Sequence, residues 1–184
     1  YEDFALFMAS KGFLVTGHDH IGHGKSVKSD DDLGYFGDIN GAIRSFRKFA
    51  ENSTGALIVN GDDEYTMKAV EGLDKEIITF GWSEKNDYWA KDVHKLGGAK
   101  SGYTLMYKGE PIAEIELSIP GKHNILNSLA CAAACIYVGM EPEQVAEHID
   151  KFPGAGRRFE ILGEVNGVTI ADDYAHHPTE LEAT

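Results

Sequence analysis

GKHNILNSLACAAACIYV, residues 121–138, is the stretch of sequence that decides the fold. From residue 124 onward it is almost wholly apolar, which predicts a buried helix. Residues 142–151 predict a second helix, which is amphipathic. Cys131 and Cys135 are one helical turn apart in the apolar run, so we interpret them as small buried hydrophobic side chains and expect no disulfide.

Strands and helices alternate upstream of this helix. An amphipathic helix is predicted after Gly41, and an apolar strand at residues 55–60 ends in a Gly-Asp-Asp turn. Residues 88–119 form short alternating strands separated by glycine turns, which indicates an antiparallel meander. The remaining predicted elements are a helix at 67–71, a strand at 77–80 and a strand pair at 159–165 and 168–171. Together they predict an α/β fold with a mixed sheet.

Composition excludes several classes of partner. Thirty acidic and 17 basic residues give a net charge of -13, which repels a nucleic-acid backbone. No stretch approaches the roughly 20 apolar residues of a membrane span, and the start has no signal-peptide pattern. Because two cysteines form no disulfide framework, we expect a reducing compartment and a cytoplasmic location.

The first 34 residues allow three interpretations. A phosphate-binding loop ending at Ser26 would need a glycine where the chain has Asp19. The three histidines between residues 18 and 23 could suggest a metal site, but we favour a solvated loop and assign no metal ligands. The run GFLVTGHDHIGHGKS, residues 12–26, resembles α/β-hydrolases of the monoacylglycerol lipase or lysophospholipase type. The serine elbow of those enzymes, G-x-S-x-G, is absent from the chain, so we expect no ester hydrolysis.

The run DDYAHHPTE, residues 172–180, concentrates reactive side chains directly after a predicted strand. Ligand sites in open α/β sheets lie at the carboxyl ends of strands, and Pro178 suits the first turn of a following helix. Carboxylates, a phenol and two imidazoles are therefore expected where a substrate would dock. The alternative is that the aspartates are turn residues and the histidines lie on the surface.

Two amide side chains open the apolar helix. Asn124 and Asn127 are one turn apart and face the same way, so they could hydrogen-bond a purine edge, while the helix N-terminus favours anions. In the alternative interpretation, Asn124 caps the helix and Asn127 satisfies buried backbone. Arg158 follows a glycine turn, where a guanidinium could clamp phosphate.

These segments resemble the Mur ligase family. Residues 121–127 match its G-x-H-N-x-x-N signature, GAGRRFE at 154–160 matches its junction between central and C-terminal domains, and DDYAHHPTE is similar to the signature of its alanine-adding branch. The resemblance implies a partial central, ATP-binding domain at 35–156. It also implies the first strand and helix of a Rossmann-like C-terminal domain at 157–184. Residues 1–34 would then be a hydrolase-like, chimeric segment.

The resemblance also implies a reaction. ATP would phosphorylate the carboxylate of UDP-N-acetylmuramate, and the amine of L-alanine would attack the acyl phosphate, with ATP and Mg²⁺ as cofactors. His123, Asn124 and Asn127 would contact adenosine, and Arg158 and Asp173 the phosphates. Tyr174 would lie with them near the nucleotide and the reaction centre, and Asp173, His176 and His177 would be catalytic. Murein tripeptide ligase is the nearest alternative within the family.

Three family elements are missing upstream: the phosphate loop G-T-H-G-K-T-T, an acidic magnesium ligand and the E-A-D-H-x-D stretch. We therefore expect a fragment that produces no ADP from these substrates, because the triphosphate lacks its main electrostatic partners. Two other classes of function stay open. One is an α/β-hydrolase fragment, and the other is a non-catalytic nucleotide-binding module.

Overall fold

The computed structural model describes residues 39–97, 100–154, 160–166 and 168–172. The four helices of these residues are α1 Ile39–Asn52, α2 Glu64–Val70, α3 Lys122–Tyr137 and α4 Pro142–Ile149. The strands are β1 Leu57–Asn60, β2 Ile77–Gly81, β3 Tyr88–Gly97, β4 Lys100–Tyr107, β5 Glu110–Leu117, β6 Glu160–Val165 and β7 Val168–Asp172. The interpretations made for residues 1–34 lie outside the described residues.

The main sheet has five strands in the order β1-β2-β3-β4-β5. The first three are parallel and the last two are antiparallel to their neighbours, which confirms the predicted mixed sheet with a meander. β2 and β3 pair at only two positions, Phe80 with Tyr88 and Gly81 with Trp89. The turn from β4 to β5 places Lys108 at φ 49° and Gly109 at φ 88°, the left-handed pair that a tight hairpin requires.

The core lies between this sheet and the two helices that follow it. Tyr103, Leu105 and Leu129 are fully buried, and Val145 of α4 is 2% exposed. α4 begins with Pro142 in its first turn and with a capping box between Glu141 and Gln144, which fixes the start of the helix. Burial of this much aliphatic and aromatic surface is the main stabilising contribution to the unit.

The predicted burial of α3 holds for one face only, and the prediction that Cys131 is buried is wrong. The sheet covers the face that carries Ile125, Leu129 and Ala132, whereas Cys131 is exposed and Cys135 is half-buried. A helix covered by one sheet buries one stripe only, and small apolar residues such as alanine can occupy either face. Both cysteines are free thiols, as expected.

β6 and β7 form a separate antiparallel ribbon that pairs Glu160 with Asp172 and Val165 with Val168. This confirms the predicted strand pair, and β7 ends directly before residue 173. None of the four helices in the described part of the chain has both the length and the apolar composition that a membrane-spanning helix needs.

Candidate functional site

The candidate site lies at the edge of the sheet where β1 and β2 end. These strands are parallel neighbours, so Asn60 and Gly81 finish at the same edge. The last turn of α3 lies at the opposite edge, since the backbone N–H of Ala56, just before β1, donates to the Tyr137 hydroxyl at 3.3 Å. α3 therefore runs back across the strands and begins on the side where they end. Open α/β sheets bind their ligands at that edge.

One carboxylate joins the two loops at this edge. Asp62 follows β1, and its side chain accepts hydrogen bonds from the backbone N–H groups of Trp82 at 2.5 Å and Ser83 at 3.2 Å. Asn86 donates from its side-chain amide to Asp62 at 2.9 Å and to the Ser83 carbonyl at 3.0 Å. We call Asp62, Trp82, Ser83 and Asn86 the loop clamp. Asn86 is only 6% exposed, so its polar group is buried and bonded.

Two glycines leave room for the loop clamp. A Cβ on Gly81 would lie 2.5 Å from the amide nitrogen of Asn86 and 2.7 Å from the carboxyl carbon of Asp62. A Cβ on Gly61 would overlap the Asn86 side chain and approach Thr79 to 3.1 Å. The glycines at the ends of these strands therefore serve a close approach of side chains.

The connection from β2 to β3 is also fixed at its far end. Asp87 accepts from the backbone N–H of Thr79 at 2.8 Å and from its hydroxyl at 3.0 Å, and that hydroxyl accepts from the Asp87 N–H at 2.9 Å. The loop is thus held at both ends by aspartates. The turn after β1 is visible in the sequence without a role, and Asn86 and Asp87 were not predicted. Asn86 bonds to Asp62, 24 positions earlier, and Asp87 bonds to Thr79, eight positions earlier, and no local pattern indicates either contact.

The amide pair at the start of α3 forms a short relay. Asn124 donates to the Pro120 carbonyl at 2.6 Å, and Asn127 donates to the Asn124 side-chain oxygen at 3.4 Å. Gly121 precedes the helix at φ 103° and gives no side-chain cap. Asn124 is half-buried and donates to backbone but does not cap the helix, and Asn127 is exposed and donates to a side chain, so the alternative interpretation of this pair is wrong. His123 is exposed as well. The side chains of His123 and Asn127, which are predicted to contact adenosine, are therefore accessible to solvent.

A buried hydrogen bond fixes the rotation of α3 relative to the sheet. The Tyr103 hydroxyl of β4 lies 2.8 Å from the Ser128 hydroxyl, and Ser128 donates to the Ile125 carbonyl at 2.7 Å. Since the Ser128 proton is used, Tyr103 is the donor of the pair. Burial raises the pKa of Tyr103, so the phenol stays neutral and able to donate. Ser128 is next to Asn127, and this bond therefore orients the amide pair.

The described residues do not fit a magnesium site. Asp62 already accepts three N–H donors, and Asp63 caps α2 by accepting from the Thr66 N–H at 2.7 Å. The described part of the chain has no group of three potential metal ligands, whereas Mg²⁺ prefers several oxygen ligands around it. Arg158, Asp173, Tyr174, His176 and His177 lie outside the described residues.

Comparison with known proteins assigns two segments of the chain to domains of one family, the Mur ligases. Residues 28–135 match the family profile of the Mur ligase middle domain, and residues 157–184 match that of the Mur ligase, glutamate ligase domain. The UDP-N-acetylmuramate--L-alanine ligase of Agathobacter rectalis is 43% identical over 156 residues, and its counterpart in Caldanaerobacter subterraneus is 44% identical. Each match covers 84% of this chain and 34% of the relative. The chain thus spans about a third of the length of these relatives.

Solved structures agree on the fold. UDP-N-acetylmuramate-alanine ligase MurC from Thermotoga maritima superposes with a TM-score of 0.69 at 27% identity, over 81% of this chain and 33% of that one. MurF from Acinetobacter baumannii gives a TM-score of 0.71 at 23% identity, over 82% of this chain and 33% of that one.

Proposed function

Because this chain belongs to the Mur ligase family, we propose that it contributes the adenosine-binding and phosphate-facing parts of an ATP-dependent ligase that joins L-alanine to UDP-N-acetylmuramate. The two relatives at 43% and 44% identity bear that activity in their names, which favours the alanine-adding enzyme over murein tripeptide ligase. We place the enzyme in the cytoplasm, with small-molecule substrates and no nucleic-acid partner.

The observation that carries the proposal is the amide pair at the start of α3. Asn127 is exposed at the edge where β1 and β2 end, and Asn124 holds it through the relay to Pro120. An amide offers a donor and an acceptor, which match the edge of an adenine ring. A side chain held in place before binding loses less conformational entropy when the ligand arrives.

We assign the remaining roles by matching the family signatures. His123, Asn124 and Asn127 contact adenosine, and Arg158 and Asp173 contact the phosphates. Tyr174, His176 and His177 contact the reacting groups, so that Asp173, His176 and His177 form the catalytic set. Residues 35–156 then belong to the central domain and residues 157–184 to the C-terminal domain, where Asp172 ends β7 directly before the catalytic run.

The proposed reaction has two steps. A muramate carboxylate oxygen attacks the γ-phosphorus of ATP, and ADP leaves as the acyl phosphate forms. The alanine nitrogen then attacks the acyl carbon, inorganic phosphate leaves, and the amine gives up a proton as the amide bond forms. We assign acceptance of this proton to the imidazoles of His176 and His177, since a neutral histidine accepts a proton near neutral pH. Mg²⁺ is implied by the family, and no step is assigned to it here.

A non-catalytic nucleotide-binding module is the second candidate. The engagement of Asp62 by three N–H donors favours it, because that carboxylate is already occupied within the protein. Both candidates require ATP binding at the start of α3. They differ in whether ADP appears from UDP-N-acetylmuramate and L-alanine once the family elements that are missing upstream are supplied.

Asn127→Ala is expected to weaken ATP binding to the 184-residue chain about tenfold, because one or two hydrogen bonds to the base are lost. Asn127 is exposed, so its replacement should leave the free energy of unfolding nearly unchanged. Isothermal titration calorimetry measures the affinity. The matched control is Asn52→Ala, which removes an exposed asparagine at the end of α1 and should not change it. Equal affinity of wild-type and Asn127→Ala chains would contradict the assignment of the amide pair.

A further inference from the structure

We propose that Trp82 is a base-binding residue, whose indole stacks on the purine of the nucleotide bound at this edge of the sheet. This inference rests on the proposed function and names the group that recognises the base. Trp82 comes directly after the last position of β2, and the sequence alone predicts no role for it.

Trp82 is 38% exposed although tryptophan has the largest side chain of any residue type. Trp89, the other tryptophan, lies seven residues later within β3 and is half-buried. Leaving more than a third of this residue exposed forgoes part of the stabilisation of about 2 kcal/mol that full burial of a large side chain provides. An exposed tryptophan at a ligand-binding edge therefore has the chemistry of a contact residue.

The exposure of Trp82 results from a fixed backbone. Its N–H donates to Asp62 at 2.5 Å, the next N–H donates to the same carboxylate, and buried Asn86 holds that carboxylate and the Ser83 carbonyl. The absence of a Cβ at Gly81 permits this arrangement. Main-chain bonds on both sides of the Trp82–Ser83 peptide keep the segment in place before a ligand binds, so stacking needs little further ordering.

The charge around Trp82 determines which part of a nucleotide can bind beside it. Asp62 and Asp63 lie in the turn beside Trp82 and Glu64 follows as the first residue of α2, so a triphosphate next to these three carboxylates would be repelled. The indole is uncharged and offers a π-face to a heterocycle. The geometry and charge therefore favour a base at Trp82, with the phosphates directed away from the turn after β1.

The test compares three ligands on two variants of the 184-residue chain. Trp82→Ala is expected to weaken ATP and AMP by the same factor of about ten, the low end of what one base–aromatic stack contributes. Trp82→Phe keeps an aromatic face and should stay within about threefold of wild type. Inorganic tripolyphosphate, which has no base, should bind all three chains equally. ATP should also quench tryptophan fluorescence in the wild-type chain, and this response should be lost in Trp82→Phe.

The outcomes separate this inference from the proposed function. If the folded wild-type chain binds neither ATP nor AMP, the proposed function falls and the inference falls with it. If wild type binds ATP and Trp82→Ala binds it equally well, the inference alone is overturned. A Trp82→Ala chain could also lose affinity for tripolyphosphate by the same factor as for ATP, or unfold in urea with an equilibrium constant raised by that factor. Either result would show that Trp82 has a structural role and would equally overturn the inference.

Discussion

Replacing Gly81 with alanine is expected to lower the free energy of unfolding by about 2–4 kcal/mol. The new methyl group would lie 2.5 Å from the Asn86 amide nitrogen and 2.7 Å from the Asp62 carboxyl carbon. To make room, both side chains would have to leave the loop clamp, and the N–H groups of Trp82 and Ser83 would lose their acceptor. The cost combines overpacking with the loss of hydrogen bonds around a buried asparagine.

Urea unfolding followed by circular dichroism measures this effect. Gly55→Ala is the matched control, since a Cβ there would lie 3.8 Å from its nearest neighbour, the Tyr137 hydroxyl, and should cost less than about 0.5 kcal/mol. The double variant Gly81→Ala with Asp62→Ala should cost less than the sum of the two single changes, because the second change removes the clash. If the two costs simply add, the close approach of Asp62 to Gly81 is not the cause of the lower free energy of unfolding.

Replacing Ser128 with alanine is expected to cost about 1–3 kcal/mol, although only one oxygen atom is removed. The Tyr103 hydroxyl has no exposed surface and would lose its acceptor 2.8 Å away. Tyr103→Phe should cost less, because Ser128 would still donate to the Ile125 carbonyl at 2.7 Å. The asymmetry follows from leaving a buried donor without a partner, which costs more than removing the donor itself.

A double-mutant cycle in urea isolates this hydrogen bond. The combined variant Tyr103→Phe with Ser128→Ala should be no less stable than Ser128→Ala alone, since the buried donor and its acceptor are removed together. Ser45→Ala serves as the control: that hydroxyl makes the same kind of local bond, to the Gly41 carbonyl at 3.0 Å, on an exposed face of α1. Additive costs for Tyr103 and Ser128 would mean that the two hydroxyls do not interact.

Apolar periodicity was sufficient to predict the layers of this fold. The strand at 77–80, the meander over 88–119 and the strand pair near 159–171 correspond to strands in the structure, because alternation and glycine turns are local properties. Burial of α3 was predicted incorrectly, since its composition does not say how many of its faces are covered. The exposure of Cys131 depends on which layer packs on the helix, and that is a property of the whole fold.

The candidate site, like the fold, was predicted only in part from the sequence. Asn124 and Asn127 were identified from their spacing, but the relay through Asn124 to the Pro120 carbonyl depends on how the chain enters α3. The loop clamp joins residues 20 to 24 positions apart, from Asp62 to Trp82 and Asn86, and no local pattern indicates such a contact. Its only local signals are glycines at the ends of two strands, which sequence reasoning treats as turn residues.

An NMR titration of the ¹⁵N-labelled chain with ATP tests most directly the claim that the helix start and the acidic, histidine-bearing run share one nucleotide site. Amide shifts are expected to concentrate in residues 122–127 and, at the same ATP concentrations, in residues 173–177. Shifts at the start of α3 with none in residues 173–177, or a pattern that avoids both segments, would contradict the shared site.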